Sequence, residues 1–228
     1  MGSNYKITYN VDIVFCIDAT GSMTDLIDLV KANAINFYSD LKDKMSGIGK
    51  TVNTVRVKVI AFRDYMEDKE NAMLNTDFFN LPDEIDDFKD TVNSIIAFGG
   101  GDEPEDGLEA LGFAIRSKWN EEGMKRRQII VVWSDASTHP IGYAREEPHY
   151  NKNMAKDFDE LTRWWGDKQN KGYVNYNAKR LIMFTPDAPG WSDITKSWDN
   201  VIHYTSESGA GLKEIEYKQI LDAITNSI

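Results

Sequence analysis

An α/β domain with a mainly parallel central sheet and helices on both faces is predicted by three observations. Short apolar runs behave as strands buried on both sides, amphipathic helical stretches alternate with them, and polar clusters fall where the strands end. Strands alternating with helices imply right-handed crossovers, and therefore parallel neighbours.

The first run, VDIVFCI (11–17), is β-branched and almost unbroken, as a strand covered on both faces requires. Ahead of it, MGSNYKITYN (1–10) is polar and reads as an N-terminal extension or cloning remnant, leaving 11–228 as a single domain. From 24 to about 44, Leu26, Ile27, Val30, Ile35, Phe37 and Leu41 recur at mostly helical spacing, with Asp25 and Asp28 where the helix dipole favours acids. That predicts one helix, ended near Gly47 and Gly49. VNTVRVKVIAF (52–62) alternates and then turns wholly apolar, a second strand, and DFFNL (77–81) is a short third. Pro82 opens a helix over 83–96 with Ile85, Phe88, Val92 and Ile95 on one stripe. After the break at FGGGDEPEDG comes another helix, carrying Leu108, Leu111, Phe113 and Ile115. QIIVVWSD (128–135) is the strongest strand signal. A polar loop, a helix near 153–169, the strand AKRLIMFT (178–185), a short helix near Trp191, the strand NVIHYT (200–205) and a final helix from Leu212 complete the chain.

With 228 residues, 41% of them hydrophobic, the chain can bury one large core. Its 26 basic and 37 acidic residues give a net charge of -11, which repels phosphate backbones and anionic lipid, so neither nucleic acid nor membrane is an expected partner. The single cysteine, Cys16, lies in the first apolar run, so no internal disulfide forms and a buried thiol is expected. No apolar stretch approaches the ~20 residues that span a bilayer, and the polar start lacks the apolar core of a signal peptide. A cytoplasmic location is expected, with secretion left open if a leader has been trimmed.

In such a sheet, ligands bind beyond the carboxyl ends of the strands, where strand order reverses. Three polar clusters can reach that edge: Asp18-x-Thr20-x-Ser22 after the first strand, the loop GGGDEPED (99–106), and Asp135 at the end of IIVVW. An acid ending a fully apolar strand is costly unless it is paired, hydrogen-bonded or bound to a metal. Asp18 and Asp135 together ask for a shared cation. Hard oxygen donors, with no Cys or His at zinc spacing, point to Mg²⁺, with Mn²⁺ or Ca²⁺ as alternatives.

DATGSM (18–23) after an apolar strand resembles the DxSxS element of von Willebrand factor type A domains, with Thr20 in place of the first serine. The SDA of 134–136 resembles that family's distal Asp turn, and the glycine-rich loop lies between the two in the expected order. The resemblance covers nearly the whole chain and implies a Rossmann-like three-layer sandwich with a metal-ion-dependent adhesion site. There Thr20 and Ser22 would bind the metal directly, and Asp18 and Asp135 mostly through water. It also implies a non-catalytic protein–protein interaction module, adhesive or regulatory, in which a partner's Asp or Glu completes the coordination and the last helix shifts as the site changes state.

The middle loop departs from the usual pattern, which has a threonine there; GGGDEPED resembles instead the type A domains of hemicentins and some alpha-kinase-associated proteins. Asp102 is the first choice for that ligand and Glu105 the second. A third carboxylate would hold the cation firmly and leave it a poorer electrophile for a partner's carboxylate. AFRDY (61–65) resembles a stretch of the same subset. Its Asp64, together with His139 near Asp135 and Trp191 in DAPGWSD, is a candidate for a metal contact or for the rim of the site.

The alternative function is an enzyme using the same acidic site for metal-dependent phosphoryl transfer or hydrolysis. Dehalogenase-type phosphotransferases want a second acid two positions after Asp18, where Thr20 stands, and neither GxxxxGK[ST] nor a GxGxxG after the first strand is present. A Ser22–His139–Asp135 hydrolase lacks a GxSxG elbow. A helix cap at Ser22 or Thr24 accounts for one hydroxyl without a metal, but not for Asp18 and Asp135 together.

Overall fold

The computed structural model of the protein describes residues 8–100, 103–123 and 125–228. Strands and helices alternate as the patterning predicts: β1 (Thr8–Asp18), α1 (Thr24–Asn33), α2 (Phe37–Gly47), β2 (Thr51–Phe62), α3 (Tyr65–Asp68), β3 (Met73–Asn75), β4 (Phe79–Leu81), α4 (Ile85–Ser94), α5 (Gly107–Ile115), β5 (Lys125–Trp133), α6 (Phe158–Trp165), β6 (Lys179–Pro186), α7 (Trp191–Ser197), β7 (Val201–Ser206) and α8 (Tyr217–Ser227). The seven-stranded sheet runs β3-β2-β1-β5-β6-β7, with β4 also paired to β2. All the long strands are parallel, and only the three-residue β3 and β4 run against β2.

The unbroken apolar run of β1 follows from its central place. Val11, Ile13, Phe15 and Ile17 face a core under α1, α2, α4 and α8, while Val14 and Cys16 face a second core under α5, α6 and α7. β5 divides the same way, with Ile129, Val131 and Trp133 on one side and Ile130 and Val132 on the other. Burial pushes the Cys16 thiol far above its ordinary pKa, so it is an inert packing group. No helix among the described residues is long and apolar enough to cross a membrane.

Several boundaries differ from the periodicity for local reasons. The helix expected over 24–44 is two helices. The Asn36 amide donates to the Asn33 carbonyl at 3.1 Å and the Asn33 side chain to the Leu29 carbonyl at 2.7 Å, local bonds that compete with helix continuation. The helix near 153–169 shrinks to α6, since the Asp157 side chain caps the Glu160 amide at 2.8 Å and Gly166 ends it at φ 72°. The final helix starts at Tyr217 rather than Leu212, because Leu212 has φ 54° and Glu216 and Gln219 form a capping box. β3 was not foreseen. β1 starts at Thr8, which pairs with Thr51, inside the stretch read as an extension.

The chain runs from β1 outward to β2 and then returns to lay β5 on the opposite side of β1. Strand order therefore reverses between β1 and β5, and Asp18 and Asp135 leave the sheet on the two sides of that crevice.

Trp191 corrects an expectation: it is fully buried, not at a rim. Its indole Nε1 donates to the Ala136 carbonyl at 2.9 Å, and its six-membered ring closes over Gly107 so tightly that a Cβ there would overlap Cη2 and Cζ2. Gly107→Ala is expected to lower the unfolding free energy by about 1–3 kcal/mol in urea titrations. Combined with Trp191→Phe, which removes those ring atoms, the loss should be smaller than the sum of the single losses; strict additivity would show that the two residues do not press on each other.

Candidate functional site

β1 ends in Asp18, whose carboxylate is wholly buried. Its Oδ1 accepts from the Thr20 amide at 3.0 Å and from Thr20 Oγ1 at 2.6 Å, and its Oδ2 from Ser134 Oγ at 2.7 Å. Across the crevice, Asp135 Oδ1 accepts from Ser22 Oγ at 2.9 Å and Oδ2 from the Gly211 amide at 2.8 Å. Thr20 and Ser22 thus each give their only hydroxyl proton to an aspartate, which leaves the oxygen lone pairs free. Thr20, Ser22, Glu105 and Asp135 line one pocket of about 290 Å³, with Asp18 beneath Thr20.

The glycine-rich loop closes tightly over these groups. Gly100 has φ 71°, and a Cβ on it would stand 2.6 Å from Glu105 Oε1 and 2.7 Å from Thr20 Cγ2. Glu105 is pinned beside the SDA turn: its amide donates to the Ser137 carbonyl at 3.0 Å and its carbonyl accepts from the His139 amide at 2.8 Å. Glu105 is 4% exposed, and its Oε2 has no hydrogen-bond partner among the described residues. The structure therefore brings Glu105 into the pocket, while Asp102 lies outside the described residues.

Asp64 and His139 sit apart from the pocket lining. Both are buried, with His139 Nε2 3.5 Å from Asp64 Oδ2. Ser22 bonds directly to Asp135 while the His139 ring faces Asp64, so a Ser22–His139–Asp135 relay is not assembled. Sequence reading quoted Ser134 and Asp106 inside the SDA turn and the GGGDEPED loop without giving either a role, and passed over the buried Glu109 and the loop after β7. In that loop the Gly209 amide donates to the Asp135 carbonyl at 2.8 Å, and a Cβ on Gly211 (φ 67°) would overlap the Ser22 carbonyl. The G-x-G of SESGAG, after a strand end, was the available signal.

Arg63 of AFRDY acts as a clamp. Its guanidinium donates to the carbonyls of Ala19 and Phe98 at 3.0 Å each, of Asn71 at 2.8 Å and of Ile96 at 2.6 Å, tying three loops together. Among the described residues no Lys or Arg forms an ion pair with Asp18, Glu105 or Asp135.

The fold is that of von Willebrand factor type A domains. The von Willebrand factor type A protein of Catenulispora acidiphila superposes with a TM-score of 0.53 at 13% identity, over 96% of this chain and 43% of that one. The pilus adhesin SpaC of Lactobacillus rhamnosus GG superposes with a TM-score of 0.54, also at 13% identity, over 95% of this chain and 30% of the adhesin. In sequence, the chain is similar to the ariadne-like RING finger protein R811 of Acanthamoeba polyphaga mimivirus, 25% identical over 158 residues, and to the alpha-protein kinase vwkA of Dictyostelium discoideum, 26% identical over 155 residues. These stretches take up 68% and 67% of this chain but only 14% and 23% of the two proteins, so it matches one segment of much longer chains. No family model matches the sequence.

Burial raises the pKa of Asp18 to about 6, against the pull of the hydrogen bonds from Thr20 and Ser134 and with a further push from Asp135. Glu105 goes up to about 9, again chiefly through burial, then through the charges of Asp18, Asp64, Asp68 and Asp106. An unfolded glutamate ionises near 4.5, so between that pH and about 9 the folded chain binds more protons than the unfolded one and stability falls as pH rises. In EDTA, the Tm is expected to decline across this window, and Glu105→Gln, which keeps the shape without the charge, should flatten the decline. A wild-type Tm that rises through the same window would contradict this electrostatic picture.

Proposed function

We propose that the chain is a non-catalytic protein-interaction domain of the von Willebrand A type that engages its partner through a divalent cation. Asp18, Thr20, Ser22 and Asp135 hold the ion, and Glu105 supplies the third carboxylate from the middle loop. The single observation that carries this reading is the pairing of the Thr20 and Ser22 hydroxyls with Asp18 and Asp135, which spends both hydroxyl protons and leaves lone pairs to spare on two residues that line one acidic pocket. The orphaned Glu105 Oε2 supports it, as does the lack, among the described residues, of a Lys or Arg ion-paired to Asp18, Glu105 or Asp135, since a cation would answer both. The donors are all hard oxygens, which suits Mg²⁺, with Mn²⁺ or Ca²⁺ able to use the same set. Bound there, the ion supplies a positive centre for an Asp or Glu oxygen of the partner.

The chain's own residues prepare that contact. Gly100 and Gly211 permit close backbone approach around Thr20 and Ser22, and the Gly211 amide orients Asp135. With three carboxylates about a doubly charged ion, Glu105 tempers the attraction for an acidic partner. Neutralising it through Glu105→Gln should tighten acidic-partner binding at saturating metal.

Mg²⁺ added to the chelator-stripped chain is expected to raise its stability by about 2.7 kcal/mol at 100 times the dissociation constant. Ser22→Ala and Asp18→Asn should lose most of that gain in thermal melts. Capture from native lysate should yield a partner in Mg²⁺ that disappears in EDTA and with Ser22→Ala. A melt indifferent to both EDTA and Mg²⁺ would falsify the proposal, and Mg²⁺- or Mn²⁺-dependent phosphatase turnover abolished by Asp18→Ala would favour the enzymatic alternative.

A further inference from the structure

We infer that a second, buried metal site stands behind the first, in which Asp64, Asp106 and His139 hold a borderline transition-metal ion of the zinc type. Asp64 caps α3, Asp106 immediately precedes α5, and His139 lies in the loop after β5, so three separate segments converge. One ligand atom from each lies within 4.8 Å of the others, and the residues are 2%, 0% and 6% exposed.

The hydrogen bonding divides each carboxylate into an anchored oxygen and a free one. Asp64 Oδ1 accepts from the Met66 amide at 2.6 Å, and Asp106 Oδ2 from the Tyr65 amide at 2.7 Å. Among the described residues Asp106 Oδ1 and His139 Nε2 have no hydrogen-bond partner, and Asp64 Oδ2 stands 3.5 Å from His139 Nε2. Two ligands bonded at ~2.1 Å around a tetrahedral ion sit roughly 3.4 Å apart, so that separation suits a shared metal. The His139 ring is held in place by stacking on Tyr143, with centroids 4.1 Å apart and planes 6° apart.

A buried donor or acceptor without a partner forfeits its solvation with nothing in return, and here two of them lie in one cluster. Anchored ligands with one free atom each are also what second-layer hydrogen bonds produce around metals. The imidazole separates this cluster from the oxygen-only pocket: it suits Zn²⁺ and its neighbours in the transition series, whereas Mg²⁺ and Ca²⁺ prefer oxygen. Glu109, one turn beyond Asp106, adds a further buried carboxylate whose Oε1 is held by the Gly142 amide and the Tyr150 hydroxyl. The two sites share no ligand, so this inference stands or falls separately from the proposed interaction site.

The test uses the full, tag-free chain, stripped by chelator and then held in a large excess of Mg²⁺ to saturate oxygen-only sites. Titration with Co²⁺, followed by its visible absorption, should show one equivalent bound, displaced by Zn²⁺. His139→Asn and Asp106→Asn are expected to weaken Co²⁺ binding at least tenfold, whereas Ser22→Ala leaves it unchanged. If a variant fails to fold, the wild-type chain decides: a Zn²⁺-induced shift of the His139 ring nitrogens by NMR supports the site. No equivalent bound above Mg²⁺, binding unchanged in folded His139→Asn, or a cluster that only exchanges a proton with pH would overturn it.

Discussion

A carboxylate buried at the end of the central strand governs the upper edge of this molecule. Asp18 emerges from β1 between two cores, wholly buried and with no ion-paired Lys or Arg among the described residues to stabilise its charge. Isolated burial of an ionised carboxylate is prohibitive, so the surroundings must supply donors. The Thr20 amide and hydroxyl and the Ser134 hydroxyl supply them. That requirement bends the chain sharply after β1 and binds the exit of β1 to the exit of β5. The topological crevice thereby becomes a polar pocket with a defined shape.

The neighbouring loops follow from the same constraint. Ser22 reaches Asp135, Gly211 holds the far oxygen of Asp135, and Gly100 lets the middle loop approach Thr20 and Glu105. Arg63 is the cation closest in role to a counter-charge, yet it gives its hydrogen bonds to backbone carbonyls and so stiffens the frame without neutralising the acids. Asp18, Glu105, Asp106 and Glu109 all have raised pKa values, with burial the largest cause in each. A region so rich in buried acid can be relieved by protons or by cations.

Periodicity located most elements because a strand buried on both faces and a helix buried on one leave different local signatures. β1, β2, β5 and β6 were legible as apolar runs, and α4 and α5 as stripes. The errors came from short-range chemistry that periodicity does not record: the Asn33 and Asn36 bonds that split the first helix, the Asp157 cap that shortened α6, and the positive φ of Leu212 that delayed α8. Trp191 was misplaced because an aromatic in a loop-flanked PGW segment looks the same whether it faces solvent or closes over a glycine.

The sequence by itself determined the α/β alternation, the two-sided burial of the central strands and the local turn in which Asp18 meets Thr20 two residues away. Only the tertiary structure decided that Ser22 meets Asp135 across 113 residues, that Gly211 meets Asp135 across 76, and that Glu105 enters the pocket. It alone turned Asp64 and His139 away from that pocket and toward Asp106. Local patterns report how a segment buries its own faces, whereas these meetings depend on strand order, which no segment carries alone.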